Sequence, residues 1–293
     1  MKAGFVALVG RPNVGKSTLL NYLIGQKISI TSRRPQTTRH RIRGIKTTPE
    51  GQIVFVDTPG MHVSQKRAMN RYLNRAAASA LVDVDVIVWL IDRPAWLPED
   101  EWIFERIKSA GVPVILAINK VDRLEEKSVL LPFLEQAAAR YAFADLVPVS
   151  ALKGVNLDVL EKKILELLPE GDPIYPEDQI TDKPERFFAA EIIREKLFRT
   201  LSEEVPHALT VEIEQFKVEG GLTRINAVIW VEREGQKVIV IGRNGAVLKK
   251  VGERARRELE RMLECKVYLE LWVKVRKGWS DDERALHSLG YVE

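Results

Sequence analysis

GRPNVGKS, Gly10 to Ser17, decides the reading of this chain. Before it, FVALV (Phe5–Val9) is an unbroken apolar run that reads as a buried strand. After it, Leu19, Leu20, Leu23 and Ile24 recur at helical spacing. The pattern G-x-x-x-x-G-K-[ST] between a strand and a helix is a phosphate-binding loop. Gly10 and Gly15 permit backbone angles that aim several N–H groups inward and make an anion-sized nest. The helix that starts near Gly15 points the positive end of its dipole at the same spot. Lys16 would reach the β- and γ-phosphates, and the Ser17 hydroxyl would ligate Mg2+. The candidate phosphate-binding set is Gly10, Arg11, Pro12, Asn13, Val14, Gly15, Lys16, Ser17 and Thr18.

Working outward, 293 residues leave room for about two domains, each with a core. One cysteine, Cys265, forbids an intrachain disulfide and suits a reducing cytoplasm. No apolar run approaches the roughly 20 residues of a membrane span, and the apolar N-terminus runs straight into the loop rather than reading as a signal peptide. The net charge of +4 says little, but its distribution says more: residues 1–49 carry ten Lys/Arg and no acid, and residues 237–261 carry eight against three Glu. Both clusters are candidates to meet phosphates, or plain solvated faces.

KISITSRRPQTTRHRIRG (residues 27–44) is polar and without period until about Arg41, so it reads as an exposed loop of the functional kind. RIRGIKTT and GQIVFVDT read as a hairpin about Pro49-Glu50-Gly51. The second strand ends in Asp57-Thr58-Pro59-Gly60. An acid there, one hairpin after a phosphate loop, suits holding Mg2+ through water, and Gly60 could offer its N–H to the γ-phosphate. Helices at 64–81, 99–110 and 156–168 alternate with buried strands at 85–92, 114–118 and 146–149. That alternation predicts a mostly parallel six-stranded sheet with ligands at the carboxyl ends of its strands. At one such end sits Asn119-Lys120-Val121-Asp122. A carboxylate at Asp122 can take both the ring N–H and the amino group of guanine, which adenine does not offer. At the next, Ser150, Ala151 and Leu152 follow, and the Ala151 N–H suits the guanine O6.

These pieces, in this order, resemble the five nucleotide-binding boxes of the small GTP-binding proteins related to translation factors, over residues 1–168. The resemblance implies that residues 29–40 are switch I and that about 61–75 is switch II. It also implies that Thr38 meets Mg2+ and the γ-phosphate, with Thr37 the neighbouring candidate. Where Ras-like enzymes orient water with glutamine, this chain has Met61. That is similar to slow GTPases with an apolar residue there, several of which use K+ held partly by a loop asparagine; Asn13 occupies that asparagine's place.

After Leu168, residues 171–185 are rich in proline and acids and read as a linker between a G domain (1–170) and a second domain (186–293). A helix at 186–201 offers Phe187, Phe188, Ile192 and Leu197 as a core face. TVEIEQFKVE puts Val211, Ile213 and Gln215 on one side and Glu212, Glu214 and Phe216 on the other. A Gly220-Gly221 turn and a second strand follow. QKVIVI reads locally as a strand running into Gly242-Arg243-Asn244-Gly245 and then a long basic helix, before a last strand at 265–279. Alone, G-x-x-G is an ordinary turn. With V-I-I before it and Lys249, Lys250, Arg254, Arg256 and Arg257 after it, the stretch resembles a KH domain of type II, where the loop joins two helices. That resemblance implies an RNA-binding set of Ile241, Gly242, Arg243, Asn244, Gly245, Lys249, Lys250 and Arg254.

The whole chain resembles the TrmE-Era-like GTPase family, in the branch with one G domain and a C-terminal KH domain; the tail VRKGWSDDERALHSLGY is similar to that branch's ending. The resemblance implies a slow GTPase with Mg2+, and K+ as a further cofactor. It implies binding to the 3′ end of 16S rRNA and a role in small (30S) ribosomal subunit assembly. A monomer is expected, cytoplasmic or peripheral on the inner face of the cell membrane. Arg33, Arg34, Arg39, Arg41 and Arg43, in or beside switch I, are expected to touch RNA or acidic groups of the second domain in one nucleotide state only. Three rivals remain: a P-loop ATPase or kinase, opposed by Asn119–Asp122; a scaffold with a vestigial site, opposed by intact Lys16, Ser17 and Asp57; and a two-G-domain ribosome GTPase, excluded by the single phosphate loop.

Overall fold

The structure is a computed structural model that describes residues 1–32, 34–60, 67–202 and 205–291. It separates into two compact units, one ending at Asp182 and the other running from Lys183.

The first unit runs β1 (Lys2–Val9), α1 (Lys16–Ile24), β2 (Ile42–Thr47), β3 (Gly51–Asp57), α2 (Ala68–Ser79), β4 (Val86–Ile91), α3 (Pro98–Lys108), β5 (Val114–Ile118), α4 (Leu130–Arg140), β6 (Asp145–Pro148) and α5 (Leu157–Leu167). The sheet order is β2-β3-β1-β4-β5-β6. Only β2 runs against its neighbour; the other pairings are parallel. Every residue of β4 and β5 is buried, as expected of parallel strands covered on both faces. That is why VIVWLI and VILAI read as continuous apolar runs rather than alternations. Trp89 fills one side, stacked on Trp96 at 5.3 Å and on Phe104 at 5.4 Å.

The second unit runs α6 (Glu185–Thr200), β7 (Leu209–Glu219), β8 (Leu222–Val231), α7 (Glu234–Ile241), α8 (Ala246–Leu263), β9 (Lys266–Val275) and α9 (Glu283–Ser288). Its sheet is β7-β8-β9, with β7–β8 antiparallel and β8–β9 parallel. The order helix–strand–strand–helix–helix–strand is that of a KH domain. QKVIVI, an apolar run that locally suits a strand, lies in α7. Val238 and Ile239 face solvent and Val240 the core, whereas a strand would put Val238 and Val240 on the same face. In β7 a bulge at Glu214 reverses the alternation. Phe216, read as facing away, therefore packs against the core with Val211 and Ile213, while Gln215 bonds Asn226 at 2.9 Å. On α6, Ile192 and Leu197 are buried, and Phe187 and Phe188 are half-buried and packed edge to face at 5.5 Å.

The segment after α5, read as a linker, is ordered through its first part. Pro169 and Gly171 bond back to Ala3 and Met1. Gln52 is fully buried on β3. Its amide accepts from the N–H of Ile174 (2.7 Å) and Tyr175 (2.9 Å) and donates to the carbonyl of Tyr175 (2.8 Å). Ile45 donates to Ile180, and Arg43 donates to Tyr175 and to the Asp182 carboxylate. The segment is a strap laid along β3 and β2.

Gln52→Ala removes the partners of those three backbone groups, at a cost of about 2 kcal/mol locally. Hydrogen exchange at the Ile174 and Tyr175 amides is expected to speed up at least tenfold in the variant (~1.4 kcal/mol), with the sheet amides of β4 and β5 unchanged. Unchanged exchange at both linker amides would show that the strap does not depend on Gln52.

Candidate guanine-nucleotide site and KH groove

Between β1 and α1 the chain must turn tightly, and positive φ values at Gly10, Asn13 and Gly15 make that turn. At Gly15, with φ +111°, a Cβ would lie 2.1 Å from the Asn119 amide nitrogen, so only glycine fits. Lys16 is buried and its ammonium donates to the carbonyls of Gly10 and Arg11, both at 2.9 Å. Burial pulls its amine down from 10.5 to about 8; Asp57 opposes that shift and Arg11 adds to it.

Ser17 Oγ bonds Asp57 Oδ2 at 2.9 Å and Thr38 Oγ1 at 2.8 Å. Ser29, which sequence reading missed, donates to the same Asp57 oxygen at 2.9 Å. Thr37 bonds Ser32 and the Arg34 carbonyl instead, so Thr38 is the threonine beside Ser17. Asp57 is fully buried, and its Oδ1 has no hydrogen-bond partner among the described residues. Burial raises this carboxyl against the pull of Lys16, Ser29 and Ser17. Hydroxyls and a carboxylate oxygen lacking a partner are the donor set of a hard cation, so these residues fit Mg2+. Of the loop, Pro12, Asn13, Gly15, Lys16, Ser17 and Thr18 line a cleft of about 490 Å3 together with Gly60, and Ile30, Ser32, Gln36 and Arg123 are further walls. Met61 and Arg33 lie outside the described residues, as does the first part of the 61–75 segment. Of the switch I arginines, Arg39 is fully buried, and the Arg43 guanidinium donates to the Tyr175 hydroxyl at 2.7 Å.

At the base end, Asn119 donates to the Val14 carbonyl (2.8 Å) and accepts from the Ala151 N–H (2.9 Å). The Ala151 N–H, read as suiting guanine O6, donates here to the Asn119 amide oxygen. Ser150 donates to Asp122 at 2.5 Å, which fixes the carboxylate. Leu152 projects outward, 66% exposed. Lys120 lies over the loop, its ammonium 2.7 Å from the Asn13 carbonyl and 3.1 Å from Asp92. Asp92 and Asp100, in no motif, both hold Arg11 at 2.7 Å. Burial alone would raise Asp92, but the hydrogen bonds from Lys120 and Arg11 outweigh it and hold the carboxyl at about 2.

In the second unit Gly242 (φ 74°) and Gly245 (φ 76°) turn the chain between α7 and α8. A Cβ on Gly242 would lie 2.4 Å from a Val247 methyl. Arg243 and Asn244 are exposed at the tip, whereas Ile241 packs against the core. Beside the loop lies a groove of about 360 Å3, floored by Leu248, Gly252, Leu269 and Leu271 and edged by Lys249, Glu253 and Arg256. Of the three basic residues of α8 assigned from sequence, Lys249 lines it. Each helical residue turns about 100°, which carries Lys250 and Arg254 to other, exposed faces of α8. Arg256 and the two β9 leucines take their place.

Residues 5–120 match the family described as 50S ribosome-binding GTPase, and residues 204–280 match the KH domain. GTPase Era of Ectopseudomonas mendocina (strain ymp) is 56% identical over 292 residues, 100% of this chain and 98% of that protein. The chain belongs to the Era GTPase family. Its GTPase Era relative from Pseudomonas aeruginosa (strain LESB58) is 56% identical over 290 residues, 99% of this chain and 95% of that protein. Two Era crystal structures match with TM-score 0.97 and 44% identity over 100% of both chains. One is an Aquifex aeolicus Era variant bound to GDP·AlF4−, and the other is Era with MgGDPNP and nucleotides 1506–1542 of 16S ribosomal RNA. As an Era-family GTPase, the chain is a GTP-hydrolysing P-loop enzyme with a C-terminal KH domain. No helix among the described residues is long and apolar enough to cross a membrane.

The Lys16 amine sets a pH dependence for nucleotide binding. With its pKa at about 8 rather than 10.5, Lys16 is neutral above that pH in the free protein, and adjacent phosphates restore its charge. Binding then takes up a proton, so GDP affinity measured in EDTA is expected to fall above about pH 8, by up to about tenfold per unit, and to stay flat below it. Titration calorimetry at pH 7.5 and 9.5 reads this directly. A Lys16→Met variant is expected to bind weakly and without that slope.

Proposed function

We propose that the chain is a guanine-nucleotide switch that binds the 3′ end of 16S rRNA through its KH groove and assists small-subunit assembly. The observation that carries the switch is the contact of Thr38 with Ser17 beside Asp57. It puts the 29–40 loop at the corner where a metal and γ-phosphate belong, so loss of that phosphate releases the loop. Ser17, Thr38 and Asp57 would hold Mg2+, which when bound neutralises charge on the β- and γ-phosphates. Lys16 and the loop N–H groups bind the phosphates, Gly60 meets the γ-phosphate, and Asp122, braced by Ser150, reads the guanine edge. Asn119 sets the distance between the phosphate and base ends. In this reading the G domain is 1–170, the linker 171–185 and the KH domain 186–293, and the protein acts as a cytoplasmic monomer. A peripheral place on the membrane rests on the family resemblance alone.

For the effector, the Gly242–Gly245 turn brings a nucleic-acid backbone close, and the apolar floor at Leu248, Leu269 and Leu271 receives unstacked bases. The Era complex containing nucleotides 1506–1542 supports that target. The test is binding of a labelled RNA carrying the 16S 3′ end, with the full chain loaded with a non-hydrolysable GTP analogue or with GDP. Tight binding with the analogue is expected, weak binding with GDP, and loss in a Gly242→Asp/Gly245→Asp variant. Equal binding in both nucleotide states would reject the switch, and no binding in either would reject the target.

In this reading Asn13 would be a ligand of K+, which when bound would add positive charge beside the phosphates. Turnover is expected to be several-fold faster in KCl than in NaCl at equal ionic strength, and an Asn13→Ala variant should erase the difference. The same rate in the two salts would remove K+ from the mechanism.

A further inference from the structure

Two cations that belong to separate sequence motifs converge on one carboxylate that belongs to none. Arg11 of the phosphate loop reaches Asp92 Oδ1 at 2.7 Å, and Lys120 of the base motif reaches Asp92 Oδ2 at 3.1 Å. Asp92 follows Ile91, the last residue of β4, which pairs with Ile118 at the carboxyl end of a central strand. Its side chain is 13% exposed and Arg11's is 11%, so the pair is screened little by solvent. Arg93 approaches the same carboxylate at 3.5 Å but is mostly exposed and contributes little. Arg11 is fixed a second time by Asp100, fully buried in the first turn of α3. Lys120 is fixed a second time by the Asn13 carbonyl.

We infer that Asp92 is a positioning residue for nucleotide binding, holding the phosphate loop and the base-site lysine on one anchor so that both ends of the site keep their spacing. The inference rests on the guanine-nucleotide reading of the cleft. Asp92 touches no nucleotide; it acts through Arg11 and Lys120. Without its charge, the Lys120 ammonium keeps one partner and its stem is free to leave the cleft wall. The loop then gains freedom that it must lose again on binding, and the cost falls on residence time.

The experiment is release of a fluorescent GDP analogue from the full chain by stopped flow, with steady-state GTP turnover alongside. Asp92→Asn keeps the shape and removes the charge. Release is expected to become about tenfold faster, the worth of one charge-assisted hydrogen bond, with kcat at saturating GTP within twofold of wild type. In an Arg11→Met/Lys120→Met background the same substitution is expected to have no further effect, because its partners are gone. A penalty that persists there would mark a merely structural residue and overturn the inference. Release within twofold of wild type for Asp92→Asn, with binding lost in Lys16→Ala, would overturn the inference and leave the site reading standing. Wild-type binding by Lys16→Ala would overturn both. If Asp92→Asn does not fold, Arg11→Met and Lys120→Met replace it: their effects on release must be less than additive, and additivity rejects the common anchor.

Discussion

One side-chain amide carries the geometry of the first unit. Asn119, at the end of β5, donates to the Val14 carbonyl and accepts from the Ala151 N–H, so three loops meet on four atoms. The loops come from β1, β5 and β6, whose carboxyl ends the parallel sheet places side by side. Asn119 is 3% exposed, so either bond lost would leave a buried polar group unpaired. The same amide lies where any Cβ on residue 15 would fall. A glycine required for an anion nest and an asparagine required for loop spacing are thus one constraint, met from two distant points in the chain.

That frame lets the site keep charges under strain. Lys16 and Asp57 are both buried, and burial drives each toward its neutral form while each partly restores the other's charge. Neither is satisfied fully by the described protein groups: the ammonium rests on two carbonyls, and Asp57 Oδ1 has no partner among the described residues. A buried ion left short of partners is costly to hold, and a ligand of the right charge removes the cost on arrival. Phosphate beside Lys16 and a divalent cation beside Asp57 are such ligands. The charge pattern therefore stores selectivity that shape alone would not provide.

The sheet, the phosphate loop and the base motif were legible because each is local: an apolar run, a glycine spacing or a tetrapeptide at a strand end. The elements that escaped are those whose reason lies across the fold. Ser29 and Asp92 have no motif, and their partners are Asp57, Arg11 and Lys120, 28, 81 and 28 residues away. Gln52 looks like an ordinary polar residue in a strand until the chain 122 residues on lies down on it. The bulge at Glu214 cannot be seen in an alternation that stays regular through it. Lys250 and Arg254 were grouped with Lys249 by nearness in sequence, whereas the helix separates them by rotation.

The two units solve a similar problem with the same device. In each, glycines with positive φ lead into a helix: Gly15 into α1, and Gly242 and Gly245 into α8. In each, the backbone is bared and the first N–H groups of the helix point out of the turn. What differs is the neighbourhood. Around Gly15 lie a buried lysine, hydroxyls and a carboxylate, so the turn holds a compact, highly charged group together with a cation. Around Gly245 lie Leu248, Gly252, Leu269 and Leu271, with Lys249 and Arg256 at the edge. A turn set beside an apolar floor favours a ligand whose charge is spread along a chain and whose planar groups can leave water. Surroundings rather than the shared turn therefore separate a nucleotide site from a polynucleotide groove, which is why G-x-x-G alone says little and its place between α7 and α8, above β9, says much.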